Sequence, residues 1–241
     1  MRQKTTRRSH QPGCLKLLLA LCSIAALAAA CTSAPEVHTY TLGTGSPPQT
    51  LRKKVVIEEN LQPAFLIDVA PVVVPAQVAR RQLVLQKDPV RVQVMEQERW
   101  STTPADEIRQ RLSANLSAVL GTFEVASIPY PADQPVYRIS VVVQRFESWY
   151  ASHTLLDTVW TVKPRTGTTM LTCHSTYSVP VGGGFGELVK GHQVAVSELS
   201  NEIAAAILAA QQDSPAPSKC IRGGMQMAAA GVQAKLRAGP R

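Results

Sequence analysis

Apolar and polar positions alternate along much of this chain, and in two stretches the period lengthens from two to about 3.6. Residues 36–42 alternate and are rich in β-formers, which predicts an edge strand, with a turn or linker at 43–48. Residues 65–74 begin as a buried strand. Pro71 and Pro75 cannot donate to a ladder, so the second half is expected to leave the sheet or lie at an edge. Residues 82–86 and 90–95 predict a hairpin bending at Lys87-Asp88-Pro89, with Val90, Val92 and Val94 on a buried face and Arg91 and Gln93 on a wet one. Residues 136–146, 155–162 and 169–179 predict three more strands. Their short connections imply an antiparallel meander, which a short strand at 123–128 would join.

The longer period appears first at 103–121. Thr103 suits an N-cap, Pro104 the first helical position, and Asp106 and Glu107 the first turn, where acids complement the helix dipole. Ile108, Leu112, Leu116, Val119 and Leu120 form one apolar stripe, and Gly121 supplies the stop. A second helix is expected at 187–210, with Leu188, Val196, Leu199, Ile203 and Ile207 near one face. The tail from Gln211 holds Pro215, Pro217, Gly223 and Gly224 without sustained periodicity and reads as disordered. The expected fold is therefore a single α/β domain, a mixed, mostly antiparallel sheet backed by two main helices.

One apolar run fits neither pattern. Residues 17–30 carry no charge and follow a basic segment containing Arg7 and Arg8. The run is short of the roughly 20 residues a spanning helix needs, and it suits the apolar part of a signal peptide. It ends Leu27-Ala28-Ala29-Ala30-Cys31. This resembles a bacterial lipobox, with Ala28 where leucine is usual, so residues 1–30 are expected to be removed and Cys31 to carry acyl (palmitate) chains. Thr32-Ser33-Ala34-Pro35 begins a small, polar tether, and Thr32, not being Asp, implies sorting to the outer membrane. The competing reading is a plain secretory signal with Cys31 incidental. Several acyl chains anchor a protein firmly, so the domain at 31–210 need not be amphipathic.

The leader and tail also explain the charge. The whole chain is +8, but Arg2, Lys4, Arg7, Arg8 and Lys16 put +5 in the leader and the tail beyond Gln211 adds +4, leaving −1 for the rest. A near-neutral domain argues against nucleic acid as a partner, which would demand a basic surface.

Readable chemistry is sparse. Gly182-Gly183-Gly184-Phe185-Gly186 matches neither the dinucleotide nor the Walker spacing and reads as a connector. Cys173 and His174 point to opposite strand faces, and His38, His153 and His192 lack ligand spacing, so no metal or other cofactor is expected. Glu58, Glu59, Glu96 and Glu98 read as solvated, and no nucleophile–base set is visible, which excludes a legible hydrolase. Of the five cysteines, Cys14 and Cys22 leave with the leader and Cys31 is acylated. Cys173 and Cys220 could pair, but Cys220 falls in the tail, and two unpaired thiols are the expectation. Trp100, Trp149 and Trp160, with Arg99 beside the first, are candidate anchors of the core or of an interface.

Several dispersed motifs occur in a family-like order. Tyr40-Thr41-Leu42 is followed by Val69-Ala70-Pro71-Val72 with Pro75, then Arg80 and Gln82-Leu83-Val84. Next come Glu98-Arg99-Trp100, Pro104 and Asn115-Leu116, then Arg145-Phe146, Trp160 and a closing helix at 188–207. Over residues 40–210 this resembles the ABC-type transport auxiliary lipoprotein family, of the paraquat-inducible protein C kind. The resemblance implies a non-enzymatic outer-membrane lipoprotein. It would dock a periplasmic MCE-domain protein, itself joined to an inner-membrane permease, in a system that moves lipids, and it could self-associate. The alternative is a structural envelope lipoprotein that binds peptidoglycan or an outer-membrane assembly machine.

Overall fold

The structure is a computed structural model that describes residues 35–43, 63–167, 170–212 and 219–223. The leader, Cys31, Thr32, the linker beyond Gly43, Glu58 and Glu59 lie outside the described residues. The elements are β1 (His38–Tyr40), β2 (Leu66–Val69), β3 (Gln82–Asp88), β4 (Arg91–Trp100), α1 (Pro104–Leu120), β5 (Val136–Trp149), β6 (His153–Pro164), β7 (Met170–Pro180), α2 (Phe185–Gln211) and β8 (Cys220–Gly223).

All eight strands form one sheet ordered β1-β4-β3-β5-β6-β7-β8, with β2 also paired to β5. The β3–β4 hairpin and the β5–β6–β7 meander are antiparallel, as their short connections require. The pairings β1–β4, β2–β5 and β3–β5 are parallel. One edge of β5 is shared: β2 pairs with its first residues and β3 with Ser148 near its end. Between them the chain after β2 stays beside β5, Ala70 donating to the Ile139 carbonyl and Val73 to that of Val141. The proline-rich half of that run thus keeps to the sheet.

The period-two pattern buries one face of the meander. Ile139, Val141 and Val143 of β5, Leu156, Trp160 and Val162 of β6, and Leu171 and Cys173 of β7 all enter the core. α2 crosses β5, β6 and β7, while α1 packs on α2 and β2. Ile108, Leu112 and Leu116 of α1 and Leu199, Ile203 and Ile207 of α2 are fully buried, each contributing about 2 kcal/mol. α1 starts as expected: the Thr103 hydroxyl accepts from the Asp106 amide, and Gly121 ends the helix at φ 63°, a left-handed conformation costly for other residues. Gly191 lets α2 approach β6, since a Cβ there would lie 2.7 Å from Thr154 Oγ1.

Four expectations are corrected. Val90 and Val92 are 89% and 41% exposed, because the turn end of the β3–β4 hairpin lies clear of the core and only from Val94 onward do residues pack inward. Residues 123–128 form no strand, only a bridge from Glu124 to Ile67, while Val125 joins Leu66 and Val136 in a small second core. Cys173 and Cys220 are disulfide-bonded, with Cα atoms 4.1 Å apart. Part of the tail is ordered accordingly: β8 pairs antiparallel with Met170–Cys173, and the two cysteines stand directly opposite. A strand of four residues is too short to show a period. The bond closes a separation of 47 residues, which in the chain-entropy view stabilises by about 4 kcal/mol.

His192 on α2 is fully buried, stacked on Phe146 at 3.9 Å and hydrogen-bonded through Nε2 to Ser148 Oγ at 2.8 Å. Desolvation pushes its pKa down to about 3. In the unfolded chain the imidazole titrates near 6.5, so below that pH the unfolded state binds a proton that the folded state refuses. Stability is unaffected by this group above pH ~6.5 and falls by roughly 1.4 kcal/mol per pH unit below it. Urea unfolding at pH 7.5 and pH 5 should therefore show a loss of about 2 kcal/mol in the wild type, most of it absent in His192→Phe.

Candidate functional site at the β1–α1 junction

Where the chain enters the domain, three segments far apart in sequence converge. β1 lies parallel to the end of β4, with His38, Thr39 and Tyr40 opposite Glu98, Arg99 and Trp100. A three-residue edge strand holds few ladder bonds, and side chains supply the rest. The Glu98 carboxylate accepts from the Tyr40 hydroxyl at 2.7 Å and meets His38 Nδ1 at 3.0 Å. Burial, and then the adjoining Glu98 carboxylate, push the Tyr40 hydroxyl up to about 12. Glu98 is itself buried, contrary to the solvated role expected of it.

Beyond β1 the chain has no strand partner, and the two helices take over. Leu42 is fully buried. Its amide donates to Glu107 Oε2 at 2.8 Å, and its carbonyl accepts from Arg111 Nη1 at 2.6 Å. Glu107 and Arg111 stand one turn apart on α1, so one helix face grips both backbone polar groups of a single residue, Leu42. Gln193 of α2 adds Nε2 to the same carbonyl at 3.2 Å. Glu107 Oε2 also accepts from the Thr41 hydroxyl, and Oε1 accepts from the Thr102 amide and hydroxyl, so the buried carboxylate receives four hydrogen bonds.

Arg111 is buried with no carboxylate in ion-pair range among the described residues. Its remaining donors go to the Gln193 carbonyl at 3.2 Å and Ser197 Oγ at 3.1 Å. Desolvation lowers its pKa from the usual arginine value. A buried cation spent on carbonyls and a hydroxyl is costly unless those contacts are needed. Here they close the seam between α1, α2 and the entering chain. Asn115, one turn further along α1, continues the seam to Ser200 Oγ at 3.2 Å.

The residues singled out from sequence are placed differently from one another. Trp100 is 3% exposed and packs near Phe146 and His192. Trp160 is fully buried and donates to Ser175 Oγ at 3.0 Å. Both sit in the core. Arg99 lies at the rim, its Nε donating to the Glu96 carbonyl at 2.8 Å, and with Arg81, Val37 and Thr39 it lines a groove of about 320 Å³. Trp149 is half-buried and donates to Glu147 Oε2. Cys31 lies outside the described residues. The histidines stay apart: His38 meets Glu98, His153 stacks on Trp149, and His174 bonds Asp157 Oδ1 at 2.6 Å. No group of three or more His, Cys, Asp or Glu is placed to hold a metal ion among the described residues. Nor is any described helix long and apolar enough to cross a membrane.

Sequence reasoning placed Glu107 at the helix N-terminus but not in a clamp, and it missed Arg111 and Gln193. The available signal was the joint presence of Tyr40-Thr41-Leu42 and Glu98-Arg99-Trp100 in one ordered set of motifs. The structure brings both to this junction.

The model of a family described as "ABC-type transport auxiliary lipoprotein component" matches residues 40–204, beginning at the last residue of β1. No curated protein matches the chain. Among solved structures, an uncharacterized protein shares the fold with a TM-score of 0.52 at 21% identity, over 72% of this chain and 99% of its own. A protein from Xanthomonas campestris aligns at 16% identity and a TM-score of 0.47, over 62% of this chain and 87% of its own.

Glu107→Ala removes a buried acceptor and strands the Leu42 amide. It should lower stability by about 3 kcal/mol in urea unfolding, whereas Glu96→Ala, on the exposed face of β4, should stay within about 0.5 kcal/mol of wild type.

Proposed function

Because the chain belongs to the family of ABC-type transport auxiliary lipoprotein components, we propose that it is the outer-membrane lipoprotein subunit of an intermembrane lipid transport system. In this reading Cys31 carries the acyl anchor, and the domain docks a periplasmic MCE-domain protein whose permease lies in the inner membrane. The role is binding, not catalysis. The observation that carries the reading is the grip of Glu107, Arg111 and Gln193 on Leu42. A domain hung from an N-terminal lipid bears its load where the tether enters, and there the chain is held by buried hydrogen bonds to both the amide and the carbonyl of Leu42. Only six residues separate Cys31 from His38, so the tether's seven Cα steps span at most about 25 Å. That keeps β1 and the Arg81–Arg99 groove close to the anchoring leaflet.

Tagged wild-type chain and a Cys31→Ser variant, expressed in the native envelope, test both halves. The wild type should fractionate with the outer membrane and co-purify an MCE-domain protein from solubilised envelopes. Cys31→Ser should appear in the soluble periplasm or remain unprocessed. Membrane association unchanged by Cys31→Ser would contradict the anchor. Recovery with the sacculus, without any MCE-domain protein, would contradict the docking role.

A further inference from the structure

At the end of β5 remote from β3, the second small core opens into a groove. Leu66, Val125 and Tyr130 floor it, and Pro63, Phe123 and Ile128 wall it, around about 240 Å³. Phe123 and Ile128 are 52% and 53% exposed, large apolar side chains at the lip of an apolar hollow. The polar groups there are already occupied: Gln134 Nε2 donates to the Pro63 carbonyl at 2.6 Å, and the Leu66 amide to that of Pro135 at 2.8 Å. With the Val125 amide donating to the Ile67 carbonyl at 2.9 Å, the proline-rich segment around Tyr130 is tied down on both sides.

Tyr130 is also a wall of a second, larger hollow of about 600 Å³ that reaches Val136, Arg165 and Asp133. Arg165 lies over the Tyr130 ring at 5.5 Å and donates to its hydroxyl, and its own amide is fixed to the Val136 carbonyl. Val136 and Arg165 in turn line a third hollow with Lys163, Arg138 and Asp68. Arg138 is matched by Asp68 at 2.6 Å, but among the described residues neither Lys163 nor Arg165 has a carboxylate within ion-pair range. The trough therefore runs from an apolar end, past the Tyr130 ring and the larger hollow beside Arg165, to the third hollow, which Arg165 and Lys163 both line.

We propose that this trough binds a single-chain anionic phospholipid, the acyl chain lying against Leu66, Phe123 and Ile128 and the phosphate at Lys163 and Arg165. The single narrow apolar groove selects one chain. The larger polar hollow suits a headgroup better than a bare carboxylate, and Asp133 offers an acceptor to a headgroup hydroxyl or ammonium. A phosphate between two cations at a protein rim gains charge-assisted hydrogen bonds, and the buried chain gains the hydrophobic term. The inference rests on the trough alone and stands or falls apart from docking to any MCE-domain protein.

The test uses the full chain in its native envelope, with a photoreactive benzoyl-phenylalanine in place of Ile128 and cells labelled with radioactive phosphate. Irradiation should attach phosphate label to the chain without shifting it by a protein's mass. The same probe at Val92, on the exposed hairpin, should attach none. Lys163→Glu with Arg165→Glu, at equal chain level, should cut the label at least about fivefold. Should that pair fail to accumulate, Lys163→Gln with Arg165→Gln should cut it in the same direction. Any of four results would overturn the proposal: no label at Ile128, equal label at Val92, label indifferent to the charge changes, or a protein-sized adduct. Label from radioactive acetate that depends on irradiation, beyond that of the Cys31 acyl chains, without phosphate would overturn it too, by identifying a free fatty acid.

Discussion

The hold on Leu42 is what the rest of the domain depends on. A chain entering a hydrophobic core past the end of a strand leaves amides and carbonyls unpaired unless side chains meet them, and each unpaired group costs about 1–3 kcal/mol. β1 solves this for three residues by pairing with β4. Leu42 then carries a fully buried side chain past the end of that ladder, and Glu107 and Arg111 replace the missing strand. Two opposite charges one helical turn apart fit the opposite polarities of the Leu42 amide and carbonyl. The arrangement also explains why a lone buried arginine is tolerated: its donors are used on the entering chain and on α2.

The same logic of closing open edges recurs across the sheet. β5 is too long for one neighbour, so β2, the proline-bearing run after it and β3 cover one edge in turn. At the far side β7 would end the sheet, and a four-residue strand from the tail covers it instead, held by Cys173–Cys220. That strand is too short to persist by its own pairing, so the covalent bond supplies what its ladder lacks. One sheet edge is thus secured by buried charge and the other by a disulfide, which fits an oxidising compartment. Between them α2 sits close to β6 through Gly191 and carries His192 into the core as a neutral group.

Much of the fold was legible because it follows from local rules. The period-two runs of β5, β6 and β7, the cap, proline and glycine of α1 and the apolar face of α2 all announce themselves within a dozen residues. What sequence hid was non-local. Val92 alternates like a buried residue, but its exposure depends on how far the helices reach over the hairpin. Glu98 looks like any solvent-facing glutamate until Tyr40 arrives beside it. Cys220 could not be paired from spacing, since a partner 47 residues away is set by strand register. The junction was half legible: its motifs stood out as an ordered set, while Arg111 and Gln193 occupy ordinary helical positions and gain meaning only from Leu42.

The central claim is that the chain just after β1 is as firmly held as the core. Backbone hydrogen exchange at the Leu42 amide in the intact wild-type protein measures this directly. The account predicts protection comparable to that of Val143 in β5, whose amide donates to the Val73 carbonyl at 2.8 Å, because Leu42 can exchange only when the α1–α2 seam opens. Exchange at Leu42 as fast as at Val92 on the exposed hairpin would contradict it.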